Sequence, residues 1–339
     1  MGKLKHMPKH PHMLPSDIKR KRLVKIDAVT NPHYGKPPGE RTVQDLLDSS
    51  MILLDKPSGP TSHQVDAWVR DILHCTKVGH AGTLDPRVTG VLPLGIGRAT
   101  RALDVLSVAG KEYVGLMRLH RSVKKDDVLR MFEKFQGDIL QLPPIRSAVK
   151  RVQRTRTVYY LELLEMQERD VLFRVGCEAG TYVRTLCVDI GRQLRCGAHL
   201  SELRRTRAGG FREADTVTLH ELKDAYMFWS EDDNDKEVRR VVRPFEHLFD
   251  SLPKIVIRDS SVDALCHGAN LAIPGVVEVE SGIKKDVLVA VFTLKGEGVA
   301  VGSSLCSSED MIEKDSGICV NINKVLMKKG TYPSIWKKH

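Results

Sequence analysis

The sequence predicts a mixed-sheet α/β (α+β) domain followed by a small, mainly β domain. Helical periodicities alternate irregularly with short apolar runs between residues 50 and 215, which is typical of a mixed sheet with helices packed on it. After Leu252 the pattern changes to short apolar runs separated by glycine and Asp/Lys turns. A length of 339 residues suits two domains at about 150 residues each. We therefore divide the chain into an N-terminal extension (1–48), a larger domain (49–250), a smaller domain (251–332) and a basic tail (333–339).

The predicted helices and strands of the larger domain follow from the spacing of their apolar residues. The first helix, over 62–74, has an apolar face with residues spaced by three and four positions: Val65, Trp68, Val69, Ile72 and Leu73. The same periodicity predicts two further helices, at 128–135 and 183–194. Apolar or alternating runs predict strands at 51–54, 111–120, 157–165 and 171–177.

The remaining segments are predicted from composition. Residues 1–48 are polar, basic and interrupted by six prolines, so we expect them to be irregular. The acidic run 231–237 is expected to form a surface loop, and the Gly- and Pro-rich segment 79–97 receives no predicted element. In the smaller domain, strands are predicted at 255–257, 287–292, 299–301 and 318–322.

The charge balance favours a polyanionic partner. The formal net charge is +10, and the two ends (1–25 and 321–339) together carry +12, so the rest of the chain is nearly neutral. Exposed basic surface of this kind suits nucleic acid, although a pair of solubilising tails would have the same composition. No apolar run reaches the ~20 residues of a membrane span, and no secretory signal peptide is present, so we expect a soluble intracellular protein without a membrane partner.

No metal site is predicted. The seven cysteines form no Cys-x-x-Cys pair, so we expect reduced thiols rather than a zinc site or disulfides. His6, His10 and His12 could bind a metal, but a flexible basic tail is the favoured interpretation of these residues.

Asp85 is the first candidate for chemistry. It lies in a loop between the flexible Gly82 and Pro86, and a following proline restricts a residue to extended conformations. A carboxylate on a stiff loop is suited to catalysis, whereas an Asx-Pro turn is the ordinary structural alternative.

Several motifs now support a family resemblance. The segment GHAGTLDPRVTGVLPLGIGRATR resembles the catalytic motif of the TruB-type pseudouridine synthases. Other segments resemble further motifs of that family, in family order: LLDKPSGPTSHQV, GKEYVGLMRLH, PPIRSAVK, EAGTYVRTLCVDIG and GAHLSELRRTRAGGF. The resemblance implies a pseudouridine synthase catalytic domain over 49–250.

Within that family the chain resembles the dyskerin branch, the catalytic subunits of H/ACA ribonucleoproteins. The segment VKRVQRTRTVYYLELLE leads directly into the next strand, where the stand-alone bacterial enzymes carry an RNA-binding insertion. The C-terminal HGANLAIPGV and IKKDVLVAVFTLKGEGVAVG are similar to the PUA domain, an RNA-binding pseudobarrel. The resemblance implies an H/ACA guide RNA, target rRNA (with tRNA left open) and small H/ACA proteins of the Gar type, the Nop type and the kink-turn-binding ribosomal type. The chain lacks long lysine-rich low-complexity tails, which makes it look archaeal rather than eukaryotic. An archaeal source implies a cytoplasmic protein, whereas a eukaryotic source would imply the nucleolus.

The resemblance also assigns catalytic residues. It makes Asp85 the essential carboxylate, Tyr113 the tyrosine that stacks on the flipped base, and Arg184 the partner that keeps Asp85 ionised and oriented. From spacing alone, Tyr113 would be a cross-strand aromatic and Arg184 an ordinary helix-surface residue. The isomerisation needs neither redox change nor external energy, so no cofactor and no metal are implied.

Further residues are expected at the RNA interface. Lys56 matches a Lys-Pro pair and is interpreted mainly as support for the site, and His80 as a loop hydrogen-bonding residue; both are included among the substrate- or RNA-binding candidates. The basic candidates for phosphate contact are Arg146, Lys150, Arg151, Arg154, Arg204 and Arg205. The candidates for guide-RNA contact in the PUA domain are His267, Gly268, Asn270, Pro274 and Gly275.

Three functions remain open from the sequence. The first is an RNA-guided pseudouridine synthase that uses Asp85. The second is a synthase that modifies tRNA without a guide. The third is a non-catalytic RNA-binding scaffold for ribosome assembly, which would bind RNA tightly and form no pseudouridine.

Overall fold

The computed structural model describes residues 12–107, 109–143 and 152–334, so most of the predicted basic tail lies outside the described residues. The strands, in chain order, are β1 Arg22–Val24, β2 Ser49–Lys56, β3 Val78–His80, β4 Thr89–Gly97, β5 Lys111–Leu119, β6 Gly137–Gln141, β7 Arg154–Gln167, β8 Asp170–Cys177, β9 Ala198–Ala208, β10 Phe211–Arg212, β11 Arg243–Pro244, β12 Lys254–Ile257, β13 Leu271–Ala272, β14 Val276–Glu280, β15 Leu288–Thr293, β16 Gly298–Ser304 and β17 Ile318–Val325. The α-helices are α1 Val43–Asp48, α2 Ser62–Ile72, α3 Lys125–Lys134, α4 Val183–Gln193, α5 Leu219–Asp232, α6 Lys236–Val241, α7 Asp259–Cys266 and α8 Ser308–Glu313. No helix in these ranges is long and apolar enough to cross a membrane.

The larger domain is built on a mixed sheet with the strand order β11-β2-β4-β9-β5-β8-β7-β6. Strand β2 lies inside it and is buried along nearly its whole length because both of its faces are covered. Since side chains alternate along a strand, Met51 and Leu53 pack into one core cluster, whereas Ile52 and Leu54 pack into another. The fold class predicted from the sequence, a mixed-sheet domain plus a mainly β domain, is therefore confirmed.

The three helices predicted from periodicity are present as α2, α3 and α4. Helix α2 begins at a capping box, in which the Thr61 hydroxyl accepts a hydrogen bond from the Gln64 amide. Its buried face is formed by Val65 and Val69, but Trp68, which belongs to the same apolar pattern, is 45% exposed. The prediction of the helix is confirmed, and its buried face is narrower than expected.

Two central strands have no counterpart among the predicted elements. Strand β4 contains glycines and Pro93, and it pairs antiparallel with β2 along its whole length. Strand β9 carries several charged residues, and it pairs parallel with β4 and antiparallel with β5. Together they join the two halves of the larger sheet, so the segment of weakest sequence signal lies at the centre of the domain.

The smaller domain is a second sheet with the order β1-β14-β12-β15-β16-β17-β13. Its edge strand β1 comes from the N-terminal extension, and Leu23 is the register partner of Val279. Leu14, also in the extension, is fully buried. The expectation that residues 1–48 are irregular is wrong for this part, because main-chain pairing with β14 orders a segment whose own composition is polar.

The acidic run is also ordered differently from the prediction. Helix α5 continues to Asp232 and α6 begins at Lys236, so only residues 233–235 connect them. Asp233 has the left-handed backbone conformation (φ 53°) that ends α5. Helix propensity and packing of the apolar face thus extend the helix into the run predicted as a loop.

Candidate active site

The loop that carries Asp85 connects β3 to β4 and is fixed by neighbouring elements. The Ser62 hydroxyl on α2 both donates to the Leu84 carbonyl and accepts from the Leu84 amide, each at 3.0 Å. The Val88 amide donates to the Asp85 carbonyl at 3.0 Å, which closes a turn, and the Gly59 amide donates to the Pro86 carbonyl at 2.9 Å. We call residues 81–88 the catalytic loop.

Lys56 stabilises the catalytic loop from the protein interior. Its side chain is fully buried, and its ammonium donates to the carbonyls of Pro57, Pro86 and Val88 at 2.8, 3.0 and 3.0 Å. Burial lowers the pKa of Lys56, and the nearby negative charge of Asp85 opposes this shift. All three ammonium protons are used in these hydrogen bonds, so Lys56 supports the loop and its inclusion among the RNA-contact candidates is not supported.

Arg205 on β9 holds the other side of the loop. It is 1% exposed, and it donates from Nε to the Val91 carbonyl at 2.6 Å and from Nη1 to the Gly82 carbonyl at 2.7 Å. Gly82 has φ +70°, and a Cβ there would lie 3.1 Å from Arg205 Nη1. The arginine therefore fills the space that a glycine leaves open behind the loop.

Asp85 and Arg184 meet at the surface of this scaffold. Nη2 of Arg184, in the first turn of α4, donates to Oδ2 of Asp85 at 2.7 Å. The side chains are 59% and 57% exposed, so the pair lies at the surface, where a large substrate can reach it. A carboxylate that is hydrogen-bonded to a guanidinium is held in one orientation while its second oxygen remains available.

Tyr113 on β5 lies beside Arg205, which is its register partner on β9. It is partly buried and packs against two core clusters of the larger domain. Burial raises the pKa of Tyr113, the Arg205 charge opposes the shift, and the Asp85 carboxylate adds to it. Tyr113 is therefore a neutral phenol at neutral pH, suited to stacking and hydrogen bonding.

Gln141 supports the site, although it is not predicted from the sequence as a functional residue. The Gln141 amide, 2% exposed, donates to the Tyr182 carbonyl at 3.1 Å and accepts from the Tyr182 amide at 2.9 Å, which fixes the start of the Arg184 helix. A lone polar residue at a strand end carries no motif, so its role becomes visible only in the fold.

His80 is an anchor of the loop. Its Nδ1 lies 2.7 Å from Oδ2 of Asp66 and its Nε2 lies 3.0 Å from the Thr83 hydroxyl. The side chain is 6% exposed. The prediction of a loop hydrogen bond is confirmed, whereas inclusion of His80 among the RNA-contact candidates is wrong, because both ring nitrogens are occupied inside the protein.

The basic candidates for phosphate contact divide into three groups. Arg205 is buried, as described above, so its prediction as an RNA contact is wrong. Arg204 binds Asp55 through both terminal nitrogens at 3.0 and 2.9 Å and Glu213 through Nε, so its charge is neutralised within the protein and the predicted RNA contact is not supported. Arg154 is exposed and stays a prediction, while Arg146, Lys150 and Arg151 lie outside the described residues.

The predicted guide-RNA segment of the smaller domain is mostly exposed. His267, Gly268, Asn270 and Pro274 are exposed between α7 and β14. Gly275 is buried, and a Cβ there would lie 2.5 Å from the Ser261 hydroxyl oxygen. Its inclusion as a contact residue is corrected: the glycine permits close packing under the segment.

Family models match the described architecture in chain order. The matches are the DKCLD (NUC011) domain at 12–66, the TruB family pseudouridylate synthase N-terminal domain at 70–183, the tRNA pseudouridylate synthase B C-terminal domain at 184–250 and the PUA domain at 253–326.

Archaeal relatives are similar over nearly the whole chain. A protein from Methanopyrus kandleri named "Probable tRNA pseudouridine synthase B" is 53% identical over 323 residues, covering 95% of this chain and 96% of its own. A protein of the same name from Pyrococcus abyssi is 53% identical over 326 residues, covering 96% of this chain and 98% of its own.

Solved structures show the same fold. A chain in the structure of an H/ACA RNP bound to a substrate RNA containing 2′-deoxyuridine has a TM-score of 0.89 and 49% identity, covering 96% of this chain and 100% of its own. A chain in the crystal structure of a Cbf5-Nop10-Gar1 complex has a TM-score of 0.91 and 51% identity, covering 95% of this chain and 98% of its own. With the Asp85 loop, its arginine partner and the PUA domain in place, the chain belongs to the TruB family of pseudouridine synthases.

Proposed function

We propose that this protein is the catalytic subunit of an H/ACA-type ribonucleoprotein, which isomerises uridine to pseudouridine at positions selected by a guide RNA. The observation that carries the proposal is the exposed pair formed by Asp85 on the catalytic loop and Arg184 on α4, in a chain similar over 96% of its length to a chain of a substrate-bound H/ACA RNP.

Asp85 supplies the reacting carboxylate. Breaking the bond between N1 of uracil and C1′ develops positive charge on the ribose, which a carboxylate can stabilise or capture. Arg184 donates a hydrogen bond to one oxygen of that carboxylate at 2.7 Å and so orients it. The freed uracil then rejoins C1′ through C5. The C5 proton leaves and N1 of the uracil gains a proton, so substrate and product have the same atoms.

The RNA must present the uridine outside a helix. A base inside folded RNA must be extruded before a protein carboxylate can reach its sugar. Tyr113, neutral and backed by Arg205, offers an aromatic face beside Asp85 on which an extruded base can stack.

The positions of the residues available for RNA contact support guide dependence. Of the basic candidates placed by the structure, Arg204 and Arg205 are committed to internal contacts. The exposed residues 267–270 of the smaller domain lie beside a separate sheet from that of Asp85. A guide RNA that binds the PUA domain and pairs with the target would deliver the uridine to the carboxylate of the larger domain. The proposed partners are a guide RNA and small proteins like Nop10 and Gar1, with which the similar Cbf5 chain is assembled.

The relatives' printed name supports a second candidate, a guide-independent tRNA pseudouridine synthase. One reconstitution separates the two. Full-length protein is incubated with an rRNA-like target or a tRNA transcript, with and without an H/ACA guide and the small partner proteins, and pseudouridine is quantified by mass spectrometry. Product in the rRNA-like target only with guide and partners supports the proposal.

Two other results would redirect the assignment. Product in tRNA with protein alone, and none in the guided target, would contradict guide dependence. Tight RNA binding without pseudouridine in any mixture would leave the non-catalytic scaffold.

A further inference from the structure

Two histidines and a carboxylate meet beside the catalytic loop. His63 and Asp66 lie three residues apart on α2, and His80 lies on the adjacent strand β3. Asp66 Oδ2 is 2.7 Å from His80 Nδ1 and 3.6 Å from His63 Nδ1, and the two imidazole rings meet edge to face with centroids 4.9 Å apart. One potential ligand atom from each residue lies within 4.8 Å of the other two.

One oxygen of this cluster has no partner among the described residues. Asp66 Oδ1 is buried and makes no hydrogen bond with any of them. A buried, unsatisfied carboxylate oxygen is costly, and such atoms in folded proteins commonly mark a bound water or ion. The carboxylate shared by the two histidines therefore has an unused acceptor.

We propose that His63, Asp66 and His80 form a binding site for Zn²⁺ or a similar late first-row divalent cation. Two imidazoles and one carboxylate suit Zn²⁺ better than Mg²⁺ or Ca²⁺, which prefer all-oxygen sites. In a tetrahedral zinc site the ligand atoms lie about 3.3 Å apart. The distances of 2.7 and 3.6 Å around Asp66 Oδ2 lie on either side of that value, and the ligand nitrogens of the two histidines lie within 4.8 Å of each other. Rotation of the exposed His63 side chain would bring the three ligand atoms closer to this spacing.

Exposure and outer contacts favour the same site. The His63 side chain is 84% exposed, which gives an ion a route of entry and leaves room for water as a fourth ligand. His80 is 6% exposed, and its Nε2 lies 3.0 Å from the Thr83 hydroxyl. When Nδ1 of His80 binds the metal, its proton moves to Nε2, and Thr83 then accepts a hydrogen bond. This outer hydrogen bond orients the ligand, as is usual for metal-bound histidines.

The site would connect α2 to the catalytic loop. His80 and Thr83 lie at the start of the segment that leads to Asp85, while His63 and Asp66 belong to the helix whose Ser62 holds Leu84. A metal there would replace one hydrogen bond by coordination bonds between the two elements. It would not touch the reacting carboxylate, so it is a structural site rather than a catalytic one.

Titration of the full-length protein with Co²⁺ tests the proposal without RNA or activity. Cobalt substitutes for zinc, and its visible absorption reports binding to nitrogen ligands. We expect one equivalent to bind with a visible band that excess Zn²⁺ removes. Asp66→Asn and His63→Ala should each weaken binding at least tenfold, because each removes one of three ligands.

Two control variants identify where the metal binds. Because His6, His10 and His12 could also bind cobalt, a variant with all three changed to alanine should keep the band. His199→Ala, in the exposed His120–His199 pair, should also keep it. Loss of the band in the tail variant, or an unchanged titration in Asp66→Asn and His63→Ala, would overturn the proposal.

A second readout covers the case in which a variant folds poorly. Zn²⁺ should raise the melting temperature of the wild-type protein and of the tail variant, but not that of Asp66→Asn, because a ligand that binds only the folded state stabilises it. Circular dichroism confirms that each variant is folded. An equal rise in the wild type and Asp66→Asn would place the metal elsewhere.

Discussion

At the scale of single residues, the basic side chains around the site are of two kinds. Some are buried and donate hydrogen bonds to the backbone, and one is exposed beside Asp85. Lys56, Lys111 and Arg205 are 0%, 5% and 1% exposed and donate to backbone carbonyls, whereas Arg184 is exposed and binds Asp85. The motif resemblance indicates that Arg184 pairs with Asp85, and the structure agrees. The sequence could not distinguish Arg205 from a surface arginine. Whether an arginine in a charged run is buried depends on strands that pair with it from distant parts of the chain.

Replacing Arg184 should impair catalysis without unfolding the protein. Arg184→Ala should lower the rate of pseudouridine formation on the order of 100-fold, because Asp85 loses the partner that orients it. Arg184→Lys should recover only part of the rate, since an ammonium cannot reproduce the planar fork of a guanidinium. Single-turnover assays measure both rates.

Arg192→Ala is the matched control for this prediction. Arg192 is an exposed arginine on the same helix that pairs with Asp189 instead. A rate as low as that of Arg184→Ala would show that the loss belongs to the helix rather than to the Asp85 pair. An unchanged rate for Arg184→Ala would contradict the proposed role of the pair.

Lys111 should make the free energy of unfolding depend on pH in the alkaline range. Burial and the nearby Arg205 charge lower the pKa of Lys111 to about 8, from an ordinary 10.5. Between these values the unfolded chain binds more protons than the folded one, so folding becomes more favourable as pH rises. Relative to Lys111→Met, the wild-type free energy of unfolding should rise by about 2 kcal/mol between about pH 7.5 and pH 10.

Denaturant titrations at both pH values measure this difference. The common titration of other groups cancels when wild type and variant are compared. Lys223→Met, at an exposed position of α5, serves as the control and should show no comparable change. A pH-independent difference for Lys111→Met would mean that Lys111 is not buried as a charge.

At the scale of elements, the strands and helices with regular apolar spacing are predicted from sequence, and the two strands that build the catalytic centre are not. Helices α2 and α4 have a clear apolar face. Strand β4 is interrupted by glycine and proline, and β9 contains one glutamate and three arginines, so neither has the apolar pattern of a central strand. Their pairing is imposed by the tertiary contacts of the sheet, which outweigh local propensity.

A substitution at Gly90 tests whether the close approach of β4 and β9 contributes to stability. It has φ +100°, and a Cβ there would lie 2.2 Å from the Arg205 carbonyl oxygen. Gly90→Ala should therefore cost several kcal/mol, on the order of 3, and should also slow catalysis because Arg205 would shift away from the loop. Denaturant unfolding and single-turnover kinetics measure the two effects.

Gly59→Ala separates steric clash from backbone strain. Gly59 has a similar positive φ of +115°, but a Cβ added there would meet no described atom within 4 Å. The variant should lose only about 1 kcal/mol, the cost of the unfavourable conformation. Equal losses for the two variants would show that the close approach of β4 and β9 does not affect stability.

At the scale of the whole molecule, the N-terminal extension and a shared apolar core connect the two domains. Arg41 binds Glu246 through both terminal nitrogens at 2.9 and 2.6 Å, and the same carboxylate accepts from the Gly298 amide at 3.0 Å. Phe249 of the larger domain packs against Phe292 of the smaller one with ring centroids 6.1 Å apart. The two domains are predicted from the change in sequence pattern, but their common core is not, since its members are far apart in sequence.

Because the core is shared, the domains should unfold together. Phe249 is fully buried, so Phe249→Ala should lower the free energy of unfolding by about 3–5 kcal/mol and preserve a single transition in calorimetry. Phe228→Ala, at a side chain that is 48% exposed, is the control and should have little effect. Two separate transitions in the wild type, only one of them moved by Phe249→Ala, would show that the domains are independent.

Pseudouridine formation by Asp85→Asn decides whether Asp85 carries the chemistry. The protein is assembled with guide RNA and the small partner proteins, and the product is quantified in a single turnover beside the wild type. We expect that the variant binds the target RNA with wild-type affinity and forms no detectable pseudouridine, because the amide cannot stabilise the charge developing at C1′ and the scaffold under the loop is unchanged. Wild-type turnover by a folded Asp85→Asn protein would contradict the assignment of Asp85 as the catalytic carboxylate.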